Sequence, residues 1–180
     1  MLPDGEHPIS PDDHSLALWD RVSQAEQALI LPFLRDNPVA IGAIASALGI
    51  AVIASVLDPS ISGLIRISPS DPRKYEIKVN SVEVAVRQRF TVAHEIGHFL
   101  LHKDAIDAAG ITDTILFRSN LSNKKEAEAN QLAAFLLLPS NTVKNWALVT
   151  HNMLPEESII DQIAANFRVS ALTVGFRFGF

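Results

Sequence analysis

The sequence predicts an α+β fold: a helical bundle with a small, partly antiparallel three-stranded β-sheet packed on the helix that carries His94-Glu95-Ile96-Gly97-His98. Three observations lead there. The apolar pattern is helical over 12–49, turns to β-rich runs and strict alternation between 50 and 80, then returns to a helical period. Asp58-Pro59 and Ser68-Pro69-Ser70-Asp71-Pro72 punctuate the β-rich part with turn chemistry. Apolar side chains make up 48% of the 180 residues, enough for a packed core in a single domain over 1–180. Within it, 1–11 would be a tail, 12–49 N-terminal helices, 50–139 the sheet and the site, and 140–180 C-terminal helices.

Residues 1–11 hold three prolines and little periodicity, so a mobile tail is expected, with His7 and His14 in or near it and exposed. Asp12 or Asp13 can cap a helix to about Leu34, marked by Leu16, Trp19, Val22 and Leu29 and broken by Asn37-Pro38. Val39 to Leu48 reads as a short helix closed by Gly49. Ile50 to Leu57, Gly63 to Ser68 and Tyr75 to Asn80 read as strands, the last with Tyr75, Ile77 and Val79 on one face. Ser81 can cap the next helix, with Glu83 in its first turn and an end near Lys103. Arg87 and Arg89 on it are given no chemistry.

A polar connection follows from Asp104 to Asn123, in which Asp107, Asp113 and Arg118 are candidates for the mouth of a cleft. Arg118 is the candidate there for stabilising an oxyanion. Lys124 to Leu138 is a helix stopped by Pro139, and Ser140 can cap another through Leu148. His151 falls in a loop. Pro155-Glu156-Glu157 opens a helix that ends near Phe167, and Val169-Ser170 precedes a last one from Ala171 to Phe178. This pair has the outline of a helix-turn-helix. Its second helix carries Arg177 as its only charge, whereas base readout needs Arg, Lys, Asn or Gln there. A packed terminal cap is the expectation.

The chemistry concentrates in Arg87 to His102. On a helix, His94 and His98 stand at i and i+4, one turn apart on one face, so both imidazoles can reach one metal ion. Glu95 lies about 100° around the helix and can lean into the site without being a ligand. This is the H-E-x-x-H arrangement of zinc hydrolases, with the Glu as general base. Val92, Ile96 and Phe99 form the opposite, core-facing side. Gly97 weakens the helix by roughly 1 kcal/mol, tolerable where another element comes close. His102 is a further i+4 step, but about 12 Å of helix rise from His94 keeps both from one ion. It is expected to support the site rather than bind the metal.

A catalytic zinc site needs three protein ligands and an open position. The third can come from Glu126 or Glu128. If it is Glu126, Asn130 lies at i+4 on the same face and can hydrogen-bond the free ring nitrogen of a ligating histidine. Glu128 has Leu132 at that position, so geometry favours Glu126.

RQRFTVAHEIGHFLLH, followed by EAEANQLAAFLLLP, resembles the ImmA/IrrE family of gluzincin-like metallopeptidases, over about Ser62 to Pro139. Leu132 stands where that family usually has Phe. The resemblance implies zinc on His94, His98 and Glu126, with Glu95 as the catalytic acid–base residue. It also implies a protein partner, a helix-turn-helix transcriptional repressor encoded nearby, whose cleavage would control gene expression.

Composition narrows the alternatives. There is no cysteine, which removes disulfides, thiolate metal sites and cysteine nucleophiles. A net charge of −5 argues against broad capture of nucleic acid. The N-terminus lacks the pattern of a signal peptide and no apolar run is long enough to span a membrane, so a cytoplasmic location is expected. Two non-catalytic classes stay open: a zinc-bearing module that regulates by binding a repressor or DNA, and a toxin–antitoxin component.

Overall fold

The computed structural model describes residues 13–109, 123–150 and 159–179. The expected tail with His7, the side chain of His14, Asp113, Arg118, His151 and the Pro155-Glu156-Glu157 helix start lie outside the described residues. The elements run α1 (Asp13–Trp19), α2 (Gln24–Ile30), a 3₁₀ helix (Leu31–Arg35), α3 (Ile41–Ala47), β1 (Ile50–Ser55), β2 (Gly63–Ser68) and β3 (Asp71–Asn80). They continue with α4 (Ala85–Ala109), α5 (Asn123–Leu137), α6 (Ser140–Thr150), α7 (Ile159–Phe167) and α8 (Ala171–Phe178). The fold is α+β. No helix among the described residues is long and apolar enough to cross a membrane.

The single N-terminal helix expected to Leu34 is instead three short pieces. Ser23 takes an extended conformation and its hydroxyl accepts the Glu26 amide at 3.3 Å, which starts a new helix. Gln27 reaches back to the Trp19 and Val22 carbonyls at 2.9 and 3.1 Å, satisfying groups left over at the end of α1. Pro32 then opens the 3₁₀ turn. Gly49, at φ 75°, closes the turn after α3 where a side chain would be strained.

The sheet has the order β1-β3-β2, with β3 parallel to β1 and antiparallel to β2. β3 starts at Asp71 rather than Tyr75, because Ser68 pairs with Asp71 and only two residues are left for the hairpin turn. Ile65 faces Ile77 across the β2–β3 pair, and both are buried in one core with Ile50, Val79, Val92, Ile96 and Phe99.

Ser81 does not cap α4, which begins at Ala85. The Asn80 side chain holds the preceding turn: its amide donates to the Ile61 carbonyl at 3.0 Å, and its oxygen accepts the Val82 amide at 3.4 Å. Glu83 lies before the helix, taking bonds from Ser62 at 2.7 Å and Arg87 at 2.9 Å. α4 also runs past Lys103 to Ala109, with a kink at His102 (φ −134°, ψ 29°). Ser140 is the first residue of α6, and its hydroxyl accepts a bond from Arg177 at 2.8 Å.

α4 and α5 cross at Gly97. A Cβ there would lie 2.9 Å from the Ala129 carbonyl oxygen and 3.1 Å from its Cα. The two backbones touch, so the helix tolerates glycine for the approach rather than for flexibility. Gly97→Ala must push the helices apart. It is expected to lower stability by about 1–3 kcal/mol in chemical denaturation and to weaken metal binding, whereas an alanine in a free helix would stabilise.

Candidate metal centre

The crossing places the ends of three side chains at one point. His94 Nε2 lies 3.0 Å from His98 Nε2 and 3.3 Å from Glu126 Oε2, and His98 Nε2 lies 3.4 Å from Glu126 Oε1. His94 and His98 come from consecutive turns of α4, and Glu126 from the first turn of α5.

Hydrogen bonds behind the rings set which nitrogens point inward. Asn130 Oδ1 is 2.8 Å from His94 Nδ1. An amide oxygen only accepts, so Nδ1 carries the hydrogen and Nε2 presents its lone pair. On the other ring the chain is longer. Glu128 Oε2 lies 3.0 Å from His102 Nε2, which donates to the carboxylate. Neutral His102 then offers Nδ1 to the Nδ1–H of His98, 3.2 Å away. His98 Nε2 therefore also presents a lone pair. Burial holds His102 below its ordinary pKa against the pull of Glu128, which favours the neutral form this chain needs.

Two lone pairs and a carboxylate thus face one another at 3.0–3.4 Å. Such a triangle is repulsive unless positive charge sits among its members. Burial acts to lower the His94 pKa, but Glu126 and Glu95 outweigh it and raise it. His94, then His98, hold Glu126 well below the usual carboxylate range. A tetrahedron with zinc–ligand bonds of 2.0–2.1 Å has edges of about 3.3–3.4 Å. The two nitrogen–carboxylate separations match those edges, the nitrogen–nitrogen separation is about 0.3 Å shorter, and two imidazoles with one carboxylate are a donor set suited to zinc.

Glu95 is 4% exposed and lines a cleft of about 730 Å³ together with His94 and Asn130. The cleft's other walls come from the loop before β2, the start of α4, and α8.

The structure adds tertiary partners to the sequence reading and changes one expectation, that for Asp107. Glu128 has no polar partner at position 132, as expected, but its carboxylate meets Arg21 of the α1–α2 connection at 3.0 Å, His102 of α4 at 3.0 Å and Lys124, one turn earlier on α5, at 3.9 Å. Neighbours along α5 point only to Lys124; Arg21 and His102 are reached through the fold. Asp107 does not line this cleft; it accepts a hydrogen bond from the Tyr75 hydroxyl. Arg89 clamps the fold, donating to the Arg168 carbonyl at 3.2 Å and the Val39 carbonyl at 3.1 Å. Arg177 is buried, its guanidinium donating to the Leu138 carbonyl at 3.3 Å.

The purified protein is expected to carry one zinc by elemental analysis. His94→Ala, His98→Ala and Glu126→Ala should each abolish tight binding. Glu128→Ala removes only the far end of the chain behind His98 and should cost roughly 10–100-fold in affinity. Loss of zinc in Glu128→Ala with retention in Glu126→Ala would reassign the third ligand.

No curated protein matches the sequence. Among solved structures, a Mycobacterium tuberculosis transcriptional regulator aligns at 17% identity and a TM-score of 0.47, over 92% of this chain and 45% of its own. The chain therefore spans less than half the length of that regulator. The model of the IrrE N-terminal-like domain, a peptidase family, matches residues 45–178, which include every residue that converges on the metal centre. The chain belongs to this IrrE N-terminal-like peptidase family.

Proposed function

We propose that the protein is a zinc-dependent endopeptidase that cleaves a specific protein partner, a helix-turn-helix transcriptional repressor encoded nearby, and so controls gene expression. The observation that carries the peptidase reading is the convergence of His94, His98 and Glu126 at metal-ligand separations, with Glu95 beside them on an open cleft. The repressor as substrate rests on the family resemblance.

Zinc held by those three side chains would polarise the scissile carbonyl and make water more acidic. Glu95 accepts the proton of the water whose oxygen adds to the carbonyl carbon. It then delivers that proton to the amide nitrogen as the C–N bond breaks, so the products are a carboxylate-bearing and an amine-bearing fragment. Asn130 and His102 keep the two rings turned inward throughout. β2 packs against α4 and, among the described residues, has a strand neighbour on one side only, so an extended substrate can add to its other edge by main-chain pairing.

Two measurements test this reading. Glu95→Gln keeps the shape of the side chain and removes the base. Zinc content should stay while hydrolysis falls by roughly 10²–10⁴. Incubation with the neighbouring repressor should yield one or a few fragments by mass spectrometry, none with chelator, and little digestion of casein. An intact repressor in a stable complex would instead establish a binding role, and an undiminished rate in Glu95→Gln would sink the mechanism.

A further inference from the structure

Exposed leucines and phenylalanines scattered singly over a surface need no explanation. Leu172 and Phe176 are not scattered. They are 82% and 51% exposed, stand at i and i+4 on α8, and line the cleft that holds His94 and Glu95. The same cleft is lined by Val84, just before α4, and by Val86 and Phe90 at its start. The charged groups of the lining are Arg87, tied to Glu83 at 2.9 Å, and the metal-centre residues themselves. Serines and threonines complete the lining, and most of the surface it exposes is apolar, with no further charge away from the metal site to meet a charged side chain.

These walls are also fixed relative to the histidines. Ser170 caps α8 by accepting the Thr173 amide at 3.1 Å. Arg177 pins the helix to the end of α5, the helix of Glu126, through Leu138 and Ser140. Arg89 on α4, five residues before His94, holds the Arg168 carbonyl at 3.2 Å just ahead of α8. A rigid apolar wall beside a metal centre is a place where a bound chain loses water from a large side chain.

We propose that Leu172 and Phe176 form a specificity subsite that selects a bulky apolar side chain next to the bond to be cut. The occupant is an extended polypeptide segment, because the one cleft that Leu172 and Phe176 line also reaches His94 and Glu95 and the start of the edge strand β2 at Gly63. This proposal rests on the endopeptidase reading and names the sequence class that such an enzyme would accept. The helix that resembles a DNA-reading element thus serves as a substrate wall.

The test uses the full zinc-loaded chain and two peptide hydroxamates that differ in one side chain beside the metal-binding group, isobutyl against hydrogen. Calorimetry should show the isobutyl probe binding roughly 10–100-fold tighter, the gain expected for burying one leucine side chain. In Leu172→Ser and Phe176→Ser the ratio should fall toward one while zinc content stays at the wild-type level. Both residues are exposed, so the fold should survive either change. Equal affinities in the wild type, or a preference kept in both variants, would overturn the subsite and leave the peptidase reading standing. Zinc present with neither probe bound would also overturn the subsite. A purified chain that takes up no zinc would overturn the peptidase reading itself.

Discussion

The structure depends on one close approach, that of the α4 and α5 backbones at Gly97 and Ala129. Side chains at this crossing would hold the helices apart by the thickness of a methyl group or more. With glycine there, the first turn of α5 lies within reach of two successive turns of α4. A single ion needs donors placed to a few tenths of an ångström, and only rigid elements in contact deliver that. The core on the far side, from Val92 and Ile96 to the strand residues Ile65 and Ile77, fixes α4 from behind.

The second constraint is electrical. Three electron-rich atoms facing one another would normally be avoided in a folded chain. Here hydrogen bonds from behind force the arrangement: Asn130 on one ring, and His102 with Glu128 on the other. Repulsion is built into the protein and would be relieved by a cation placed among the three, so part of the folding energy is available as affinity for positive charge. Glu95 adds to the same field and raises the His94 pKa alongside Glu126.

How much of this could be read from the sequence followed the range of each interaction. The pairing of His94 with His98 and the face shared by Glu126 and Asn130 are helix periodicities, so spacing alone revealed them. The small sheet was legible from alternation, as in Tyr75, Ile77 and Val79. What failed was either tertiary or competitive. The break after Trp19 came from a cap by Ser23 that outcompeted continuation, and the late start of α4 came from the Asn80 side chain holding the turn. The two closer partners of Glu128, Arg21 and His102, are remote in sequence, and no pattern along one helix contains them. The cleft wall at Leu172 and Phe176 was visible as an apolar helix, but which face stays open is settled only by where Arg177 is buried.

The chain behind His98 does not end at Glu128. It passes to Arg21, which lies ahead of residue 45, where the match to the peptidase family begins. Trp19 from the same region packs against Phe135 of α5, with ring centres 5.3 Å apart. A chain recut at the family's boundary would keep His94, His98, Glu126 and Glu95. It would shed the cation that steadies Glu128 and the ring that backs α5. Shared ancestry and mechanical support therefore mark out different lengths of this polypeptide, and the N-terminal helices belong to the foundations of the metal centre rather than to an appendage.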